Sequence, residues 1–236
     1  MLLVYTPPKR TKVVLKTIPL PSSQNIMPAG NDAVFWDSQA QSYSKRPVKD
    51  NDAYQKTLDR TFAFLKDTDS VLELGCGTGS TALRLAPATR SYLGTDISGE
   101  MIQIANSKAG SENSTLTFRV ATAETLAAGE TRFNAVLAFN YLHLVRDLPS
   151  TLRNIHGLLE DGGLFISKTG CVGQMNVMLR VAIPVARLVG KAPFVNMFGE
   201  PELLQSITDA GFEIVEKEIH ASSQNDHRPF IVARKM

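Results

Sequence analysis

A chain of 236 residues, 43% hydrophobic and 20% charged, can bury the core of one α/β domain. Its net charge of +2, without a long basic run, argues against a nucleic-acid partner held by field alone. No apolar run of about 18 residues is present to span a membrane. Cys76 and Cys171 lack the spacing of a disulfide framework or a metal site, so a reducing, cytoplasmic setting with no bound metal is expected.

Residues 1–31 hold no Asp or Glu, carry Lys9, Arg10, Lys12 and Lys16, and are broken by Pro7, Pro8, Pro19 and Pro21. They lack an apolar core and an Arg-rich amphipathic pattern, so they read as a flexible tail; a targeting segment is the alternative, and Met27 an alternative start. AVFWDSQAQSYSKRP follows as an aromatic-bearing segment. A helix then opens on Asp50, Asn51 or Asp52 as cap, with Tyr54, Leu58, Phe62 and Leu65 on one face. SVLELG reads as a buried strand, TALRLA as a helix, YLGTD as a strand and SGEMIQIANSKA as a helix capped by Ser98. LTFRV and FNAVLAF read as strands, LPSTLRNIHGLLE as a helix, GGLFISKT as a strand, and EPELLQSITDAG as a helix stopped by Gly211. FEIVEKEI and RPFIVARK are strands joined by the polar ASSQNDH, which suits an antiparallel hairpin. The alternation predicts an α/β fold, a doubly wound and mostly parallel sheet with helices on both faces.

In such a sheet the ligand crevice lies beyond the carboxyl ends of the strands. The first strand-to-helix turn there is VLELGCGTG, Val71 to Gly79, whose glycines remove every Cβ that would keep a ligand from the backbone. A dinucleotide fingerprint starting at Gly75 needs glycine at 80, where this chain has Ser80. Glu73 at the loop's entrance opposes a pyrophosphate and suits a cation. Asp96 follows Gly75 by about 20 residues, the spacing at which an acid accepts ribose hydroxyls. A ribose beside a positive group describes S-adenosylmethionine.

These residues resemble a class I S-adenosylmethionine-dependent methyltransferase of small-molecule type over residues 32–236. VLELGCGTG resembles the family's first motif, which implies that Glu73, Gly75, Cys76 and Gly77 line the cofactor. YLGTDISGEMIQIA resembles the second, where Asp96 would hold the ribose and Ile97 and Met101 would flank the adenine. FRVATAETL resembles the third, with Thr122 where an acid is usual, leaving Ala123 and Glu124 as adenine-edge candidates. FNAVLAFNYLHLV resembles the fourth strand and its exit, which puts Asn140 beside the methionine part and His143 at the substrate. Trp36 and Tyr43 stand where the family places aromatics over the cofactor. The resemblance implies strand order 3-2-1-4-5-7-6 with the seventh strand antiparallel.

His143 and Tyr43 are the candidate acid-base residues, each with a plain packing role as its alternative. DPPY and NPPY, which mark nucleic-acid methylation on this fold, are missing, so a small, apolar or aromatic acceptor is expected. Residues 170–199 are too long for a simple connection and rich in Met, Val, Leu and Phe. Pro184 divides them into what reads as a lid of two short helices. Arg180, Arg187 and Lys191 also allow peripheral membrane contact with a lipid or quinone acceptor, and a dimer contact is a third reading. A catalytically silent S-adenosylmethionine-binding partner and a nicotinamide oxidoreductase are the rival functions. The oligomeric state is not legible.

Overall fold

The computed structural model describes residues 31–110, 115–174, 177–188, 191–221 and 226–236. The expected tail therefore lies outside the described residues, except that Asn31 already opens a helix. Seven strands form one sheet: β1 (Ser70–Leu74), β2 (Ser91–Asp96), β3 (Leu116–Val120), β4 (Phe133–Phe139), β5 (Leu159–Lys168), β6 (Phe212–Ile219) and β7 (Pro229–Lys235). Their order is β3-β2-β1-β4-β5-β7-β6, with β7 antiparallel to both neighbours, as expected.

Strand alternation explains why the sheet is covered on both faces. Val71 packs on one side with Leu58 of α2 (Asn51–Phe64), Leu85 of α3 (Ser80–Leu85) and Ile102 of α4 (Gly99–Ala109). Leu72 faces the other side with Leu152 and Ile155 of α6 (Leu148–Leu158) and Leu203 of α8 (Glu200–Asp209). Burying each such side chain contributes about 1.5–3 kcal/mol, so the two layers outweigh any single polar contact.

Local signals set most helix ends. The Asp50 side chain accepts from Ala53 N to open α2, and Ser98 accepts from Met101 N to open α4. The buried stripe of α2 is Ala53, Thr57, Leu58 and Thr61, whereas Tyr54, Phe62 and Leu65 are only half-buried. Thr57 and Thr61 are buried because their hydroxyls find acceptors, the Ala53 carbonyl (2.8 Å) and the Thr57 carbonyl (2.7 Å). Lys168, at the end of β5, donates to Thr57 Oγ1 (3.1 Å) and the His220 carbonyl (2.9 Å), tying α2 to the strand ends.

Four features depart from the sequence pattern. The aromatic-bearing segment is a helix, α1 (Asn31–Ser44), whose Ala33 and Ala40 are buried, and a short α5 (Ala123–Ala127) opens on Thr122. β5 begins at Leu159, before Gly162 and Gly163, because a register shift opposite Phe133 and Ala135 absorbs the turn-like glycines. The two-helix lid is instead one helix, α7 (Val177–Leu188), running through Pro184. Proline forfeits one backbone hydrogen bond, and here that loss falls at an exposed position in the last turns, where it does not break the helix.

Candidate active site

The carboxyl ends of β1, β2, β4 and β5 converge on the glycine loop. Gly75, Gly77 and Gly79 take left-handed φ values of +66°, +53° and +74°. At Gly75 no other residue would fit, since a Cβ there would come 2.6 Å from Tyr141 Cδ2. Backbone bonds hold the loop: Cys76 N donates to the Thr95 carbonyl and Gly77 N to Asp96 Oδ2, both at 2.9 Å. Outside it, Lys108 Nζ donates to the Thr78 carbonyl (3.0 Å), Thr78 Oγ1 (2.8 Å) and Ser80 Oγ (3.2 Å). The Cys76 thiol packs towards Gly94 and is buried, which raises its pKa, so Cys76 offers the loop only its backbone.

Glu73 and Asp96 set the electrostatics. Glu73 is 2% exposed and accepts one side-chain hydrogen bond, from the Tyr92 hydroxyl at 2.9 Å. Burial pushes its carboxyl up to about 8, opposed by the Tyr92 bond and helped by the charge of Asp96. Asp96 is also raised by burial, with N–H groups of Ser98, Gly77 and Ile97 pulling the other way. Its Oδ2 holds Gly77 N and its Oδ1 holds Ser98 N (2.9 Å), leaving lone pairs on both oxygens for a diol. Ile97, half-buried, and Met101, buried, follow at the start of α4.

At the third strand's exit Ala123 is buried, and Glu124 Oε1 accepts from Thr151 Oγ1 at 3.0 Å, which turns that carboxylate towards α6. The Ala123 backbone is hydrogen-bonded to the Tyr141 side chain. Asn140 follows β4 with φ +52°, the one positive value outside glycine among the described residues, and donates to the Lys168 carbonyl at 2.7 Å. His143 sits in the next turn with Nδ1 2.8 Å from Thr169 Oγ1, which also accepts from His143 N (3.3 Å). Burial lowers its pKa to about 4, so the imidazole is neutral at physiological pH. With the proton on Nδ1, Nε2 is left as an acceptor.

Helix α1 crosses this loop. Tyr43 lies 3.7 Å from where a Gly77 Cβ would be, and its ring meets Trp36 edge-on at 6.4 Å. Burial first, then the charge of Asp96, raises the Tyr43 phenol, which makes it a hydrogen-bond donor rather than a base. Asp37 anchors the same helix by accepting from Ser98 Oγ (2.6 Å) and Glu100 N (3.2 Å). A wall of the site comes from 191–199, where Asn196 N donates to the His143 carbonyl (2.7 Å) and Phe194 lies between Arg146 and Arg187 at 5.0 and 5.1 Å.

A family model described as a methyltransferase domain matches residues 46–217. The chain belongs to that methyltransferase family. The ubiquinone biosynthesis O-methyltransferase of Ruegeria pomeroyi is 28% identical over 165 residues, 67% of this chain and 64% of that one. A mitochondrial arginine-hydroxylase of Danio rerio is 27% identical over 190 residues, 78% of this chain and 57% of that one. The chain thus spans less than two thirds of either relative. Among solved structures, the magnesium protoporphyrin IX methyltransferase of Synechocystis with bound S-adenosylhomocysteine superposes with a TM-score of 0.64 at 19% identity, covering 87% of this chain and 96% of that one.

The fold is that of class I S-adenosylmethionine-dependent methyltransferases, and the residues present fit that cofactor. A glycine cradle that side chains would fill, a carboxylate with free lone pairs one strand over, and a buried acid that pairs with no cation among the described residues match its backbone approach, diol and positive charge. Sequence reasoning missed Tyr141, Thr169, Asp37 and Lys108. Tyr141 carried the one usable signal, an aromatic directly after the residue that leaves β4; the other three depend on partners far away in the chain.

Proposed function

We propose that this methyltransferase moves the methyl group of S-adenosylmethionine onto a small, apolar or aromatic acceptor by in-line displacement. One observation carries the reading: the methyltransferase glycine loop has a buried acid behind it and Asp96 beside it, with His143 a few residues past the neighbouring strand. The bound cofactor supplies an already activated methyl group, so alignment of acceptor, carbon and sulfur is the protein's main task, worth on the order of 7–11 kcal/mol. The wall around Phe194 and the buried Phe198 favours an apolar acceptor. His143 Nε2 takes the proton of a phenol or acid acceptor.

A lipid or quinone acceptor is the second reading. Met178 and Val185 of α7 are 77% and 58% exposed, and Arg187 lies on the same helix, a pattern that suits a membrane surface. None of the described helices is long and apolar enough to cross a membrane.

Methyl-labelled S-adenosylmethionine incubated with phenols, carboxylic acids, thiols, amines and dispersed quinones should transfer label to one class. Label in no class, with cofactor bound tightly, would instead favour a silent binding partner. His143→Ala should lower kcat about 10²-fold or more on a protonated acceptor while leaving S-adenosylhomocysteine affinity unchanged. Because His143 stays neutral down to about pH 4, its protonation should not limit the rate above about pH 5; unchanged kcat in the variant would remove it from the chemistry.

A further inference from the structure

We propose that the acceptor of this methyltransferase carries an anionic group, a carboxylate or phosphate remote from the atom that is methylated, and that Arg187 and Arg146 bind it. The inference rests on the small-acceptor reading above and narrows its substrate class.

From Gly162 to Gly199 the chain has no Asp or Glu, although it carries Lys168, Arg180, Arg187 and Lys191. Lys168 is spent on Thr57 and the His220 carbonyl. Arg187 of α7 and Arg146, in the loop after β4, both stand over the ring of Phe194, at 5.1 and 5.0 Å from its centroid. The two guanidiniums therefore lie within about 10 Å of each other, no more than a Debye length at about 0.1 M salt, so they repel. One acid answers them among the described residues: Asp32 Oδ2 accepts from Arg146 Nε (3.0 Å) and Nη2 (2.6 Å). Asp147, next in the chain, is turned to Ser150 N as the cap of α6. Arg187 has neither a carboxylate partner nor a hydrogen-bond acceptor among the described residues, which leaves its whole fork of donors open.

This cluster belongs to the acceptor end of the site. Asn196 N donates to the His143 carbonyl at 2.7 Å, which fixes the Phe194 segment to the turn that holds the candidate base, and Arg146 follows that base by three residues. Helix α1 gives the distance to the cofactor loop. Asp32 meets the cluster and Tyr43 lies beside Gly77, and the helix between them is roughly 16 Å long at about 1.5 Å per residue. The arginines are thus out of reach of a carboxylate seated at the glycine loop. On α7, at about 100° per residue, Arg187 stands about 180° round from the exposed Met178 and about 160° from Val185. A membrane that took those apolar side chains would leave Arg187 facing away from it, whereas a ligand that reaches Phe194 meets it. A planar guanidinium pairs a carboxylate or phosphate through two parallel N–H···O bonds, and the adjoining Phe194 ring offers apolar surface to the body of the acceptor.

The test titrates 1-naphthoate, 1-naphthyl phosphate and the neutral 1-naphthamide calorimetrically into the wild-type protein saturated with S-adenosylhomocysteine. At least one of the two anions should bind about tenfold or more tightly than the amide, the worth of a charge-assisted pair. Arg187→Gln should lose that preference while binding S-adenosylhomocysteine and the amide as before; Arg187 is exposed, so the exchange spares the core. Arg153→Gln, at an exposed base on α6, should keep the preference. Anions that bind no better than the amide overturn the inference and leave the cofactor reading intact. So does a preference that survives in Arg187→Gln, or one lost equally in Arg153→Gln, which would be an effect of net charge. If Arg187→Gln kept the preference and lost sedimentation with vesicles of phosphatidylcholine and phosphatidylglycerol in equal parts, the arginine would serve a membrane instead. Failure of the wild type to bind S-adenosylhomocysteine at the outset overturns both readings.

Discussion

Asp96→Ala should weaken S-adenosylhomocysteine binding by on the order of 10²-fold or more. The carboxylate has two duties at once, which is why the effect is large. It fixes Gly77 N and Ser98 N at 2.9 Å each, and each oxygen keeps a lone pair for a ligand hydroxyl. Each hydrogen bond to a charged group is worth about 1.5–3 kcal/mol, so losing a ribose diol alone reaches the stated loss. Asp96→Asn should rescue little, because its NH2 would face one of the two backbone N–H groups. Thermal melting of the free protein separates the duties: a lowered Tm reports the loop, and the extra loss of affinity reports the ligand. Unchanged affinity in Asp96→Ala would put the ribose elsewhere.

Gly79→Ala should destabilise the protein by roughly 2–5 kcal/mol. A left-handed φ of +74° costs an L residue about 1–2 kcal/mol, and the new Cβ would stand 2.6 Å from Phe118 Cζ and 2.9 Å from Ala105 Cβ. Both neighbours are buried core, so neither swings away cheaply. For a domain of this size the loss lowers Tm by on the order of 10 °C. Gly162→Ala is the control, since Gly162 has φ +73° but nothing within 4 Å of its Cβ. It should show the strain alone. Equal losses at the two sites would mean that the loop yields where the contacts say it is packed.

Much of this arrangement was legible because it is local. The glycine spacing, the acid at each strand end, the caps at Asp50 and Ser98 and the stop at Gly211 are short-range requirements of the backbone, and each stands where the pattern put it. The single helix through Pro184 and the helical α1 were not legible, because a proline's effect depends on where in the helix its missing bond falls, and α1 is held by Asp37 against α4 far along the chain. The charge states were hidden for the same reason. Glu73 reads as an anion in sequence and His143 as a base near neutrality, yet burial shifts the first to about 8 and the second to about 4. Sequence supplies the residue; only packing supplies the desolvation.

Trp36, the single tryptophan of the chain, stands on α1 with its ring against Tyr43, which in turn lies beside Gly77 of the glycine loop, and serves as a built-in reporter for the central claim. Titrating S-adenosylhomocysteine while following tryptophan emission should give a saturable change, with none on addition of NAD. A response to NAD and none to S-adenosylhomocysteine would contradict a methyltransferase cofactor site beneath α1.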